Sequence, residues 1–169
     1  MQECVDLQLS ADRAFDQADY NKAEQLFKTI LKKEQSGWFL GHQFNDFKLA
    51  DALEKQRKFD EAEKVYIGAL RTLEKRHGDG SELVTCLQNL AIFYWMQRRY
   101  GEAEPLFRRA LQLHRLHDHT WESILCREDY AQLLRATNRT ENALTLEQEA
   151  KTIRAEFING VNNSHSIAW

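Results

Sequence analysis

RRYGEAEPLFRRALQL, residues 98–113, decides the fold, because the chain repeats it in paraphrase. Upstream, RKFDEAEKVYIGALRTL occupies residues 57–73 and ADYNKAEQLFKTILKK residues 18–33, while NRTENALTLEQEAKTI at residues 138–153 is a fainter copy. Aligned on the alanine of the EAE-like core, Ala23, Ala62, Ala103 and Ala143 fall in register with successive spacings of 39, 41 and 40 residues. Self-similarity at one period of this size marks an array of a single supersecondary unit.

The register extends on both sides of the anchor. Twelve positions before it stand Ala11, Ala50, Ala91 and Ala131, and seven after it Ile30, Ala69, Ala110 and Ala150. Tyr20, Phe59 and Tyr100 lie three places before the anchor, and Phe27, Tyr66 and Phe107 four places after it. Four residues is about one helical turn, so each unit reads as a helix A ending near a QR or DQ pair, a tight turn, and a helix B opening at the aromatic. The alanines let the two backbones approach, and the aromatics fill space against the next hairpin, so no unit buries its apolar face alone. Pro105 falls in or just after the first turn of helix B, where a missing N–H costs little.

Composition supports an all-helical reading. One proline and seven glycines in 169 residues leave little material for the turns of a many-stranded sheet. The length suits one domain. A net charge of −3 from mixed signs gives no field that would gather nucleic acid or an anionic membrane. Three cysteines, Cys4, Cys86 and Cys126, without a CxxC pair suggest a reduced, intracellular, cytoplasmic protein. No secretion signal is recognisable at the N-terminus, and nowhere do about 18 apolar residues run together, so membrane insertion is not expected.

Leu87, Leu90, Ala91 and Tyr94, followed by Tyr100, Ala103, Phe107 and Ala110, form a pattern that resembles the tetratricopeptide repeat (TPR). Extended over NLAIFYWMQRRYGEAEPLFRRAL, residues 89–111, it is similar to the longer repeats of the kinesin light chain type. The resemblance covers roughly residues 4–157 and implies an α-solenoid, a right-handed superhelical array of about four TPR hairpins. The array is expected over 1–157, with repeats near 4–38, 43–78, 84–118 and 124–157, linkers at 33–43, 75–82 and 116–122, and a tail at 158–169. Gly160 is read as a helix stop. Ser10 and Ala14 replace larger residues in the first repeat, and Asp46 stands at a core position in the second. Arg127, Thr140 and Glu147 make the outer face of the last repeat polar, as a C-terminal cap would be, so the array is expected to end there.

In TPR proteins helix A lines a concave groove. The positions turned toward it are Phe44, Phe47, Lys48, Asp51, Glu54 and Lys55 in the second repeat, and Thr85, Gln88, Asn89, Ile92, Trp95 and Met96 in the third. In the fourth they are Leu125, Glu128, Asp129, Gln132, Arg135 and Ala136. Asn89 matches the groove asparagine of kinesin light chain repeats, which the resemblance implies can hydrogen-bond an extended peptide, an amide being both donor and acceptor. Lys48 and Asp129 hold the same place in the neighbouring repeats, so the ladder of asparagines is absent. Trp95 and Met96, with Phe44 and Phe47, form an apolar floor if exposed, and core if buried.

Three other features carry two readings each. His114, His117, Asp118 and His119 have a spacing that could serve a metal, or simply end a helix near its favourable dipole. The cysteines are packing residues or redox sensors. The tail residues Ser166, Ile167, Ala168 and Trp169 either dock into a groove or stay disordered. No phosphate loop, nucleophile elbow or catalytic carboxylate pair is recognisable, so the expectation is no enzyme and no cofactor. The expected function is a protein-interaction scaffold or adaptor that binds a peptide or partner protein, with self-assembly into homo-oligomers as the alternative.

Overall fold

The structure, a computed structural model, describes the backbone of residues 2–35, 45–75, 80–116 and 120–165, and side chains within these except at 2, 4, 35, 115, 116 and 159–165. Among these residues lie eight α-helices: α1 (Gln2–Asp16), α2 (Tyr20–Gln35), α3 (Asn45–Lys55), α4 (Phe59–Lys75), α5 (Ser81–Met96), α6 (Tyr100–Leu116), α7 (Trp121–Ala136) and α8 (Thr140–His165). Consecutive pairs form the four hairpins, and helix B opens at Tyr20, Phe59 and Tyr100 as the register requires. The chain divides into two compact units, 1–78 and 79–169, rather than one. Each unit holds two hairpins, and the division falls inside the glycine-bearing linker.

The repeat register is the packing register. Ala11, Ala23, Ala50, Ala62, Ala91, Ala103, Ala131 and Ala143 are all buried, and Phe27 and Phe107 are fully enclosed. In the first unit α2 packs on α3, and in the second α6 packs on α7, so helix B of one hairpin is covered by helix A of the next. Phe107 of α6 stacks on Tyr130 of α7 with ring centroids 5.6 Å apart and planes 11° from parallel.

Every hairpin turns at one residue with left-handed backbone: Ala18 (φ 59°), Arg57 (61°), Arg98 (60°) and Asn138 (60°). In the second hairpin the Arg57 N–H bonds the Glu54 carbonyl at 2.8 Å and the Lys58 N–H bonds the Leu53 carbonyl at 2.9 Å. The other three corners carry the corresponding pairs. This is the Schellman arrangement, which satisfies the last carbonyls of helix A without a glycine.

Pro105 lies just after the first turn of α6, where it was expected, and the carbonyl it leaves without its helical N–H belongs to the exposed Gly101. Two other expectations need correction. Gly160 does not stop α8, which runs to His165; an isolated glycine costs a helix only about 1 kcal/mol relative to alanine. Nor is the outer face of the last hairpin uniformly polar. Arg127 is 6% exposed while Leu144 is 53% exposed.

Candidate functional site

Helix α5 is apolar enough to be buried on most of its circumference, and its less buried strip carries the groove positions. Thr85, Gln88, Asn89, Ile92 and Trp95 are half-buried, and Met96 is 67% exposed. The neighbouring α7 presents Leu125, Gln132, Arg135 and Ala136 as exposed residues and Glu128 and Asp129 as half-buried ones. Gln88 Nε2 donates to Asp129 Oδ2 at 3.0 Å, which joins the two helices A of the second unit along this strip. Burial pushes the Asp129 carboxyl above its ordinary range, against the pull of the Gln88 amide.

The charges on this face are partly engaged. Arg135 donates through Nε and Nη2 to the two carboxylate oxygens of Glu147 on α8, at 2.8 and 2.9 Å. Arg154 Nη2 donates to Glu128 Oε1 at 2.7 Å, and its guanidinium lies 5.2 Å from the centre of the Trp121 ring. What the strip offers outward is therefore an amide, Asn89, beside the aliphatic and aromatic surface of Ile92, Trp95, Met96 and Leu125.

The first unit has its own strip. Lys48 Nζ of α3 donates to Asp12 Oδ1 of α1 at 2.6 Å, and Asp51 and Lys55 lie one turn apart at 4.0 Å. Burial raises the carboxyls of both Asp51 and Glu54; Glu54 also accepts the Tyr66 hydroxyl at 2.9 Å. Phe47, expected to face the groove, is core: it is 8% exposed and stacks on Tyr66 of α4, with centroids 6.3 Å apart. The physical reason is its partner in helix B, since a half-buried Asp46 cannot fill that space. Phe44 lies outside the described residues.

Sequence reasoning missed two kinds of residue. Val5 and Leu9, exposed by 46% and 57% on α1, occupy the groove register of the first repeat and could have been found by extending it. It also missed a charged clasp one place after the anchor alanines Ala23 and Ala103. Glu24 accepts from Lys28 at 2.6 Å, Lys58 at 2.8 Å and Gln56 at 2.9 Å. Glu104 accepts from Arg139 at 2.7 and 2.8 Å, from the Tyr130 hydroxyl at 3.1 Å, and from Arg108. Lys58 and Arg139 hold the same register position, immediately after the left-handed corner residue, so helix B of one hairpin grips the corner of the next. Burial alone would raise the Glu24 carboxyl, but the bonds from Lys28, Lys58 and Gln56 outweigh it and hold the group at about 2. The hydrogen bonds from Arg139 lead in holding Glu104 low.

Cys86 and Cys126 are buried, and burial pushes the Cys126 thiol up to about 12. A thiol held there forms little thiolate near neutral pH, so packing is the role its surroundings support. His114 is half-buried, whereas His117, Asp118, His119 and the residues 166–169 lie outside the described residues. Among the described residues no group of three His, Cys, Asp or Glu is placed to hold a metal, and no helix is long and apolar enough to cross a membrane.

The family model for the tetratricopeptide repeat matches residues 45–115 and 83–156, together more than half of the chain. Curated protein sequences contain no match. Among solved structures, BtubC (BKLC) from P. vanneervenii is similar with a TM-score of 0.79 at 21% identity, over 89% of this chain and 63% of that one. This chain thus spans less than two thirds of that protein's length. The nearly identical TPR-like repeats assigned to a kinesin light chain of Podosopora anserina are similar with a TM-score of 0.74 at 14% identity, over 91% of this chain and 76% of that one. These likenesses establish the fold, an all-α array of TPR hairpins of the α-solenoid class.

Proposed function

We propose, from the premise that this chain belongs to the tetratricopeptide repeat family, that it is a protein-interaction module whose ligand lies against helix A of its hairpins. Membership implies protein partners and a scaffold or interaction role in general. The finer reading concerns which residues meet the partner. In the second unit these are Gln88, Asn89, Ile92, Trp95 and Met96 on α5, with Glu128, Asp129, Gln132 and Arg135 on α7. In the first unit they are Lys48, Asp51 and Lys55 on α3, with Val5 and Leu9 of α1 beside them.

The observation that carries this reading is the character of the α5 strip. A half-buried amide stands one turn from an apolar run that ends in Met96, 67% exposed. An extended peptide suits such a strip, because Asn89 can both donate to and accept from its main chain while Ile92, Trp95 and Met96 receive an apolar side chain. Aromatic anchors in partly enclosed settings contribute most of the affinity at such surfaces. The module acts by binding, without turnover, and two buried cysteines fit a reducing, cytoplasmic setting.

The test is a paired pull-down from lysate of the source cell with the wild-type chain and the double variant Asn89→Ala, Trp95→Ala, after both show the same helical circular dichroism and the same melting transition. A partner retained by wild type and lost by the variant supports the α5 strip. Equal recovery by both sinks it.

A further inference from the structure

We propose, on the reading that the partner lies against the α5 strip, that this partner is a basic one: it brings a lysine or arginine to Asp129 of α7, close in its sequence to the apolar side chain received by Ile92, Trp95 and Met96. Among the groove positions of the second unit the charged side chains are Glu128, Asp129 and Arg135. Arg154 holds Glu128 at 2.7 Å, and Arg135 is held through two N–H groups by Glu147. Asp129 has no counterpart of this kind. Among the described residues its carboxylate accepts only from Gln88 Nε2, at 3.0 Å, and the charge that acts on it is a second carboxylate, Glu128.

The first unit supplies the contrast. There the two helices A are joined by Lys48 and Asp12, cation to carboxylate at 2.6 Å. In the second unit α7 brings a carboxylate to the joint, but α5 sets a neutral amide against it. An amide orients a carboxylate without neutralising it. Burial, the leading cause, holds the Asp129 carboxyl above its ordinary range, because a half-buried group is partly withdrawn from the water that favours its ionised form. Folding has thus already met part of the cost of desolvating this charge, and a cation arriving with the ligand gains the attraction on binding.

Helix geometry sets the spacing in the partner. Asp129 meets α5 at Gln88, one turn before Ile92 and two turns before Trp95 and Met96, which is about 6 Å and about 11–12 Å along the axis. An extended chain advances about 3.3 Å per residue and turns alternate side chains to one face. A peptide lying along α5 therefore carries its basic residue about two or four places from its apolar one. Asn89 stands between the two contacts and is left to the main chain of the peptide. An acidic residue at the same place would meet Asp129 as a like charge, so the joint also selects against acidic partners.

The experiment pans a random-peptide display library on the full chain, on Asp129→Asn and on Glu122→Gln, a change at an exposed acid of the same helix. Wild type and Glu122→Gln are expected to select lysine or arginine two or four places from a large apolar residue. Asp129→Asn, which keeps the shape of the side chain and an oxygen for Gln88, is expected to retain the apolar residue and lose the basic one. A peptide selected on wild type should bind wild type at least tenfold more weakly once its basic residue is glutamine, and Asp129→Asn no more than twofold more weakly. In wild type itself, carbon-13 NMR should show the Asp129 carboxyl titrating lower when that peptide is bound, since an opposite charge favours the ionised form. Peptides that need Asn89 and Trp95 but show no basic preference, or that leave the Asp129 titration unmoved, overturn the pairing and leave the strip reading standing. So does a basic preference that Glu122→Gln removes as fully as Asp129→Asn, which would be a response to net charge. Peptides indifferent to the double variant Asn89→Ala, Trp95→Ala overturn the strip reading and the pairing with it.

Discussion

Ala18, Arg57, Arg98 and Asn138 hold a left-handed backbone at the four hairpin corners. For a residue with a β-carbon this conformation costs roughly 1 kcal/mol, and asparagine tolerates it best. Ala18→Gly and Arg98→Gly are therefore expected to stabilise the chain by about 1 kcal/mol each, and Asn138→Gly by less, as chemical denaturation would measure. No glycine marks these corners, so their conformation was not legible in the sequence; their location was, because the period places all four at the same offset. The clasp gives a pH signature. Glu24, held at about 2, and Glu104, held low, bind protons more weakly folded than unfolded. The stability they contribute is full above the unfolded carboxylate value, near 4.3, and is lost as pH falls through the folded one. Glu24→Gln should destabilise the chain by about 1–3 kcal/mol at pH 7, and the gap to wild type should shrink as pH is lowered toward 2.

Among the elements, α7 and α8 differ most from the repeat pattern. The pair of Arg127 with Glu149 replaces an apolar contact, and a buried ion pair is often no more stabilising than a hydrophobic residue of similar volume. Arg127→Leu, which installs the residue of the third repeat, is expected to leave the melting temperature unchanged or raise it. Glu149→Gln leaves the buried guanidinium without its opposite charge and should lower stability by about 1 kcal/mol, a modest figure because Glu149 is partly exposed. Helix A and helix B were legible from spacing because the same alanines and aromatics recur. The facing of individual side chains was not. Phe47 reads as a groove residue from its register and becomes core because Tyr66 of α4 offers it a stacking partner, a contact between helices that periodicity within one helix does not encode.

Across the whole molecule, the two compact units are built from the same plan, each with a fully buried phenylalanine four places after an anchor alanine, Phe27 and Phe107. Truncating such a residue costs about 3–5 kcal/mol, and neighbouring repeats feel the loss before distant ones. Phe27→Ala should therefore accelerate amide hydrogen exchange in α1 to α4 well before it does so in α7 and α8. Phe107→Ala should reverse the order. One consequence belongs to α8 alone. Leu116, where α6 ends, is in register with Glu156, yet α8 continues to His165, a further projection of roughly 13 Å. A projecting helix is a lever arm: a helical protein grafted in phase onto it inherits a defined direction, each added residue swinging the graft by about 100°. A module otherwise too small to orient in electron micrographs thereby carries its own mounting point for a rigid marker.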